Sequence, residues 1–300
     1  MTHNNFTKEI SGYLWKHSVP PPLLWHYTSA DGFLGIAKNQ SLWCTEYRHL
    51  NDKKEITTFA LHLIDKLRDG LRGHFGEDDV GKIIQSVATL YNTWNVFVCS
   101  FCTDSDRNEH WYQYAGRAGY SLGFDTLILK SLAQSQDFAL GPIIYGEDKA
   151  LNIAAAVVND NLHSIEGLSN PLNDDDFMDV VNFLCRLILG YAPFFKPGSF
   201  ERESEWRLVR VTGLGGGDGE IQFRAKSPFG LLGYQRFSFK IPSGDESGEL
   251  HPCPKDLIPQ TITGPGNETD GWLRSGHAYE LLFQNGLETL VSDTKSSLRF

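Results

Sequence analysis

The spacing of apolar and polar positions changes repeatedly along the chain, and each change predicts an element. Leu23 to Thr28 predicts a strand whose end is polar, and Ala30 to Asn39 predicts a helix directly after it. Ser41 to Thr45 predicts a second short strand. Arg48 to Asp52 predicts a turn, since Asn and Asp side chains bond the local backbone. Asp52 with Glu55 has capping-box spacing for a helix toward Arg72, with Ile56, Phe59, Leu63, Ile64 and Leu67 on one side. Asp78 or Asp79 predicts the cap of a helix reaching Tyr91. Asn95 to Cys102 is strand-like, Thr103 to Asn108 a polar loop, and Glu109 to Gly116 a short aromatic helix. Tyr120 to Phe124 and Phe138 to Tyr145 predict strands. Helices are expected over Lys149–Ile165 and Asp174–Tyr191, the second with an acidic start that suits a helix N-terminus. Strands are expected over Glu203–Val211, Ile221–Arg224, Gln235–Ile241, Ile258–Gly264 and Leu287–Ser292, with a helix over Trp272–Gln284.

These elements follow no steady strand–helix–strand rhythm. That predicts an α+β fold, a mixed or antiparallel sheet core with surrounding helices. A lead over residues 1–22, ending in Pro20-Pro21-Pro22, precedes a single domain over 23–300. The glycine run from Gly213 to Gly219 reads as a hairpin connection. It opens no helix, which excludes a dinucleotide fingerprint there.

Composition narrows the classes. A net charge of −10 with no Lys/Arg run argues against long nucleic acid and an anionic membrane as partners. Five irregularly spaced cysteines do not form a disulfide framework, and Cys99 and Cys102 fall on opposite faces of one strand. His251-Pro252-Cys253 is a weak start for a zinc site. Phe177 to Phe195 is apolar but broken by Asp179, Asn182 and Arg186, so a buried helix is expected rather than a membrane span. Residues 1–16 lack a basic start followed by an apolar stretch. A soluble, reduced, cytoplasmic protein is the expectation.

Three segments carry candidate chemistry. In His26-Tyr27-Thr28-Ser29, His26 and Thr28 share a strand face, and the following helix offers free N–H groups to an anion or a carbonyl oxygen. In the second, Ser100 ends a strand near Trp111-Tyr112-Gln113-Tyr114, where Trp111 and Tyr114 share a helical face suited to stacking on a planar ring. In the third, Glu203, Glu205 and Arg207 point one way along a strand while Trp206 and Leu208 face the core.

In order, these motifs resemble a widespread bacterial family of unknown function. The pattern is H-Y-T-S at 26–29, L-N-D-x-x-E at 50–55, S-F at 100–101 with W-x-x-Y-A at 111–115, G-F-D at 123–125, E-x-E-W-R at 203–207 and G-P at 264–265. A second similarity, to mono-ADP-ribosyltransferases of the His-Tyr-Glu class, implies an activity and an ADP-ribosyltransferase-like fold. It implies that His26 and Ser29 hold the nicotinamide ribose and amide, that Tyr114 stacks on nicotinamide, and that Glu205 binds a ribose hydroxyl. Glu203-Ser204-Glu205 is similar to the E-x-E signature of the arginine-modifying members. The stacking ring stays open among Trp111, Tyr112 and Tyr114.

The expectation is therefore an NAD-dependent ADP-ribosyltransferase-like enzyme that cleaves the nicotinamide–ribose bond, in the manner of a toxin or anti-phage effector. Glu205, Glu203 and His26 are its candidate catalytic residues. His26, Tyr27, Thr28, Ser29, Ser100, Trp111 and Tyr114 are its candidate NAD contacts. No metal is expected, and the acceptor (protein, nucleic acid or small molecule) stays open. Two alternatives remain: a non-catalytic nucleotide- or protein-binding module on the same fold, and a metal-dependent nucleotide hydrolase using Glu203, Glu205 and Asp52.

Overall fold

The computed structural model describes residues 3–16, 18–50, 53–162, 165, 172–213, 221–226, 230–242, 250–266 and 271–296. Helix α1 (His3–Trp15) buries Ile10 and Leu14, and Trp15 Nε1 donates to the Leu140 carbonyl at 2.7 Å. Strand β1 (Leu23–Thr28) and helix α2 (Ala30–Asn39) lie where the pattern predicts, with Ser29 as the N-cap between them. Then come β2 (Ser41–Glu46), α3 (Lys53–Leu71), α4 (Glu77–Leu90) and β3 (Asn95–Cys102). Gly76 caps α4, so Asp78 and Asp79 stand inside its first turn, where acids favour the dipole. Asn51 and Asp52 lie outside the described residues, as does the side chain of Glu55, so the capping box is not described.

Helix α5 (Asn108–His110) runs into a π-helical turn, Trp111–Ala115. Asp125 ends β4 (Tyr120–Asp125) and caps α6 (Thr126–Ser135), a helix not predicted. The expected strand over Phe138–Tyr145 is two strands, β5 (Ala139–Pro142) and β6 (Ile144–Tyr145). Helices α7 (Glu147–Leu162) and α8 (Asp174–Tyr191) follow; Asn173 accepts from the Asp176 N–H, which assigns the acidic run to helix capping. Helix α8 is long and apolar enough to cross a membrane, but its stretch is 67 % buried within the fold.

Strand β7 (Phe195–Lys196) precedes β8 (Glu205–Thr212), β9 (Gln222–Lys226), β10 (Gly230–Ser238), β11 (Ile241–Pro242) and β12 (Leu250–His251). The chain closes through β13 (Gln260–Thr263), α9 (Gly271–Gln284) and β14 (Leu290–Asp293). The expected hairpin across the glycine run is corrected, because its flanking strands do not pair with each other among the described residues. The run joins β8, which pairs with β3 and β5, to β9, which pairs with β10. Residues 214–219 of that run lie outside the described residues.

Ten strands form one mostly antiparallel sheet that branches at β3. One edge of β3 pairs along its whole length with β8, from Asn95↔Thr212 to Cys102↔Glu205. The other edge is shared. Strand β2 takes Thr45↔Val98 and Glu46↔Phe97, and β1 takes only Trp25↔Cys102. Between them no strand among the described residues pairs with Cys99, Ser100 or Phe101 on that side, and the sheet forks. One branch is β1-β4-β13-β14 and the other β2-β10-β9. Helices cover both faces. Helices α1, α3, α4, α7 and α8 pack with Val96, Val98 and Val209; α2, α6 and α9 pack with Phe97, Leu122 and Leu208. This is the expected α+β class.

A third, small core holds Trp25, Tyr27, Cys102, Trp111 and Ala115. Its packing explains the glycine of the late Gly-Pro pair. A Cβ on Gly264 would lie 2.7 Å from the Trp111 ring and 3.0 Å from the Gly119 carbonyl. Only glycine admits the indole at that distance.

Candidate functional site

A cavity of about 670 Å³ fills the fork in the sheet, within the range of small-molecule sites. Its floor is Val98 to Cys102 of β3. One wall comes from β1 and the start of α2, the other from β2 and β9. Five strand residues span about 13 Å between their ends. His26, Tyr27, Thr28, Ser29, Ser100, Tyr114, Glu203 and Glu205 all line it, so segments nearly 180 residues apart in sequence meet on one surface.

At the Cys102 end sits a buried charge cluster. Arg207, fully buried, donates Nε to Glu205 Oε1 at 2.7 Å, Nη2 to Oε2 at 3.2 Å, and Nη1 to the Pro193 carbonyl at 2.7 Å. Lys196 lies 2.7 Å from Glu205 Oε2 and 2.6 Å from Glu203 Oε2. Burial alone would raise the Glu205 carboxyl. The Arg207 and Lys196 cations more than offset that and hold it down at about 2. Glu205 is therefore a fixed anion with both oxygens engaged, and it has no lone role as a base. Glu203 is more open, with 23 % of its side chain exposed against 7 % for Glu205.

Glu203 is not a strand residue. It ends a 3-10 turn, Gly198–Glu203, and Ser204 at φ 46° turns the chain into β8. Its partner Lys196 was not legible in the sequence, because Lys196 reaches the cluster from a separate strand. Trp206 and Leu208 face the core as expected. For the metal-hydrolase alternative, both Glu205 oxygens and one Glu203 oxygen are already held by Arg207 and Lys196, while Asp52 lies outside the described residues.

The aromatic segment needs a correction. Trp111 and Tyr114 do not share a face, because the turn is π-helical rather than α-helical and the i, i+3 alignment is lost. Trp111 is completely buried, with Nε1 donating to Asp106 at 2.6 Å, so its ring offers no face to a ligand. Tyr114, 46 % exposed, presents its ring to the cavity, and Tyr112 does not line it. Asp106 also accepts from Thr294 Oγ1 and, at 2.7 Å, from the Lys295 N–H, which ties the end of β14 to this segment.

His110, missed in the sequence, lines the cavity with its ring 5.2 Å from Tyr27 and 5.8 Å from Tyr114. It is 5 % exposed, and its buried Nδ1 has no hydrogen-bond partner among the described residues. Burial, then the nearby Arg107 charge, pushes its pKa down and keeps it neutral. The sequence signal was a histidine before W-x-x-Y, which says nothing about facing a cavity. Tyr27 contributes ring surface only, since its hydroxyl donates to the Asp104 carbonyl at 3.1 Å and accepts from the Arg107 N–H at 2.8 Å.

His26 donates Nδ1–H to the Ser100 carbonyl at 2.9 Å and lies 3.8 Å from Cys99 Sγ. The carbonyl can only accept, so Nδ1 carries a proton. Burial opposes a charge on this ring, yet the Cys99 sulfur and the Ser100 carbonyl lift its pKa above the ordinary value. Ser29 Oγ accepts from the Gly32 N–H at 3.2 Å, which uses one of the helix-start donors. Asp31 in the same first turn also lines the cavity. Its carboxylate disfavours an anion at that helix start, which leaves a carbonyl oxygen as the better suited of the two expected ligands.

At the Val98 end, Arg224 donates Nη2 to Thr45 Oγ1 at 2.9 Å and lies 5.2 Å from the centre of the Trp43 ring. Its buried Nε has no hydrogen-bond partner among the described residues. Trp43 and Arg224 both line the cavity, and neither was singled out in the sequence. The site thus has a cation and an indole at one end, and carboxylates, a tyrosine and a neutral histidine at the other.

A family model described as Protein of unknown function (DUF2971) matches residues 110–208. That third of the chain holds His110, Tyr114 and the Glu203–Arg207 cluster. The H-Y-T-S and L-N-D-x-x-E segments fall outside it. No curated protein and no solved structure matches the chain.

Proposed function

We propose that the forked cleft binds NAD and cleaves its nicotinamide–ribose bond, in the manner of an ADP-ribosyltransferase. The observation that carries this reading is the convergence of His26, Tyr114, Glu203 and Glu205 on one cavity of suitable volume. A dinucleotide has two planar rings with a pyrophosphate between them. Trp43 on β2 and Tyr114 on the π-helical turn packed against β1 are aromatic rings lining the cavity, and Arg224 stands beside Trp43 for the phosphates. Loss of nicotinamide leaves an oxocarbenium-like ribose cation. Glu203 and Glu205 line the cavity while Arg207 and Lys196 sit behind them, so the carboxylates turn the negative end of the cluster toward that cation. In this reading the more open Glu203 takes the ribose hydroxyl, and Glu205 holds the field.

The test is incubation with NAD and chromatographic detection of free nicotinamide, repeated for Glu203→Gln and Tyr114→Ala. Nicotinamide release that falls at least tenfold in Glu203→Gln, with an unchanged circular dichroism spectrum, is the expected result. Neither release nor any NAD-dependent rise in melting temperature would overturn the reading. Full engagement of both Glu205 oxygens favours a second reading, a nucleotide-binding module without turnover. That reading predicts NAD binding with no nicotinamide release.

A further inference from the structure

The cleft floor carries a group that NAD chemistry does not use. Cys99 of β3 lines the cavity between the two branches of the sheet. Cys44 and Cys99 each adjoin the last β2–β3 pair, Thr45↔Val98, on the side where strand pairing stops, and both side chains belong to one buried core. Both cysteines are free thiols, and each shifts the titration of the other. His26 of β1 approaches the same sulfur at 3.8 Å from the other branch.

We propose that Cys99 is an oxidation site for hydroperoxides reaching the cleft, and that Cys44 resolves it to a Cys44–Cys99 disulfide. In the first step the Cys99 thiolate attacks the peroxide, an S–O bond forms and the O–O bond breaks. The leaving oxygen departs as water or alcohol with the proton held by His26, and Cys99 becomes a sulfenic acid. In the second step the Cys44 sulfur attacks that sulfur. An S–S bond forms, the S–O bond breaks, and hydroxide leaves as water with the Cys44 proton. Two electrons pass from two thiols to one peroxide.

The surroundings suit the first step. The hydrogen bond from Cys44, against opposing burial and with help from His26 and Arg224, pulls the Cys99 thiol down to about 5. Burial and the neighbouring Cys99 push Cys44 well up. One sulfur is thus the nucleophile and the other a protonated thiol that waits for it. Cys102 cannot substitute. It points to the other face, its sulfur donates to the Asp104 carbonyl at 3.1 Å, and burial pushes it up to about 12.

The chemistry needs no NAD, and its readout is mass, so its failure and that of the NAD reading are separately visible. The reduced full-length chain is treated with stoichiometric hydrogen peroxide and followed by intact mass and non-reducing peptide mapping. The expected product is a Cys44–Cys99 link with loss of about 2 Da. Cys102→Ser should form it unchanged, and Cys44→Ser should stop at a Cys99 sulfenic acid that dimedone traps. Alkylation of Cys99 by iodoacetamide should keep a nearly flat rate from pH 6 to pH 8, where an ordinary thiol speeds up about tenfold per pH unit. A link through Cys102, direct conversion of Cys99 to sulfinic acid with Cys44 still reduced, or an ordinary alkylation profile would overturn the proposal.

Discussion

Replacing Glu205 with glutamine tests whether the charge cluster holds the fold together. Glu205 joins Arg207, which is fully buried, to Lys196, whose side chain is 3 % exposed. The four groups Glu203, Glu205, Lys196 and Arg207 carry no net charge together. Glu205→Gln leaves one buried cation uncompensated, which costs about 3–5 kcal/mol. The pKa gives an independent figure. The gap between an ordinary 4.5 and about 2 in the folded state is worth about 3 kcal/mol at neutral pH. The folded value is depressed, so this stability is fully present above pH 4.5 and is lost as pH falls toward 2. The assay is urea unfolding of both proteins between pH 7 and pH 3. Glu205→Gln should be less stable by about 3 kcal/mol at pH 7, and the difference should narrow by about 2 kcal/mol from pH 5 to pH 3. Every other carboxyl group is common to both proteins and cancels. A variant within 1 kcal/mol of the parent at pH 7, or a difference that ignores pH, would refute the reasoning. The result also bears on catalysis. Loss of activity in Glu205→Gln cannot be assigned to chemistry alone, and Glu203→Gln is the cleaner probe.

Three further outcomes are expected. Gly264→Ala should lower stability by about 1–3 kcal/mol in a thermal melt, because its Cβ would press on the Trp111 ring and the Gly119 carbonyl. Tyr114→Ala should cost little stability, since about half of its surface is exposed, while weakening NAD binding by calorimetry about tenfold through lost stacking. His110 is held neutral, so its contribution is present above about pH 6.5 and is lost as pH falls. His110→Asn should lose less stability than the parent between pH 6.5 and pH 5 in chemical unfolding.

Much of the secondary structure was legible because its signals are local. The apolar run and polar end of Leu23–Thr28, followed by Ser29, define a strand and a capped helix with no help from distant residues. Asn173 and its acids mark the start of α8 in the same way. The alternation through Glu205-Trp206-Arg207-Leu208 correctly separates a core face from a polar one. Where the local signal was ambiguous, tertiary contacts decided. Apolar spacing across 111–114 fits an α-turn, but burying Trp111 against Gly264 goes with a π-turn that leaves only Tyr114 facing the cavity.

The chain by itself determined the α+β class and the presence of three polar segments at strand ends and turns. It did not determine that they meet. That depends on β3 giving one edge wholly to β8 and dividing the other between β1 and β2, which opens the cleft over Cys99–Phe101. Strand pairing of this kind is a choice among non-local partners, and residue spacing carries no term for it. The same holds for Lys196 beneath the glutamates, His110 beside Tyr114, Arg224 over Trp43, and Cys44 near Cys99. Each is an ordinary side chain in its own segment and takes on a chemical role only from what the fold places within a few ångströms of it.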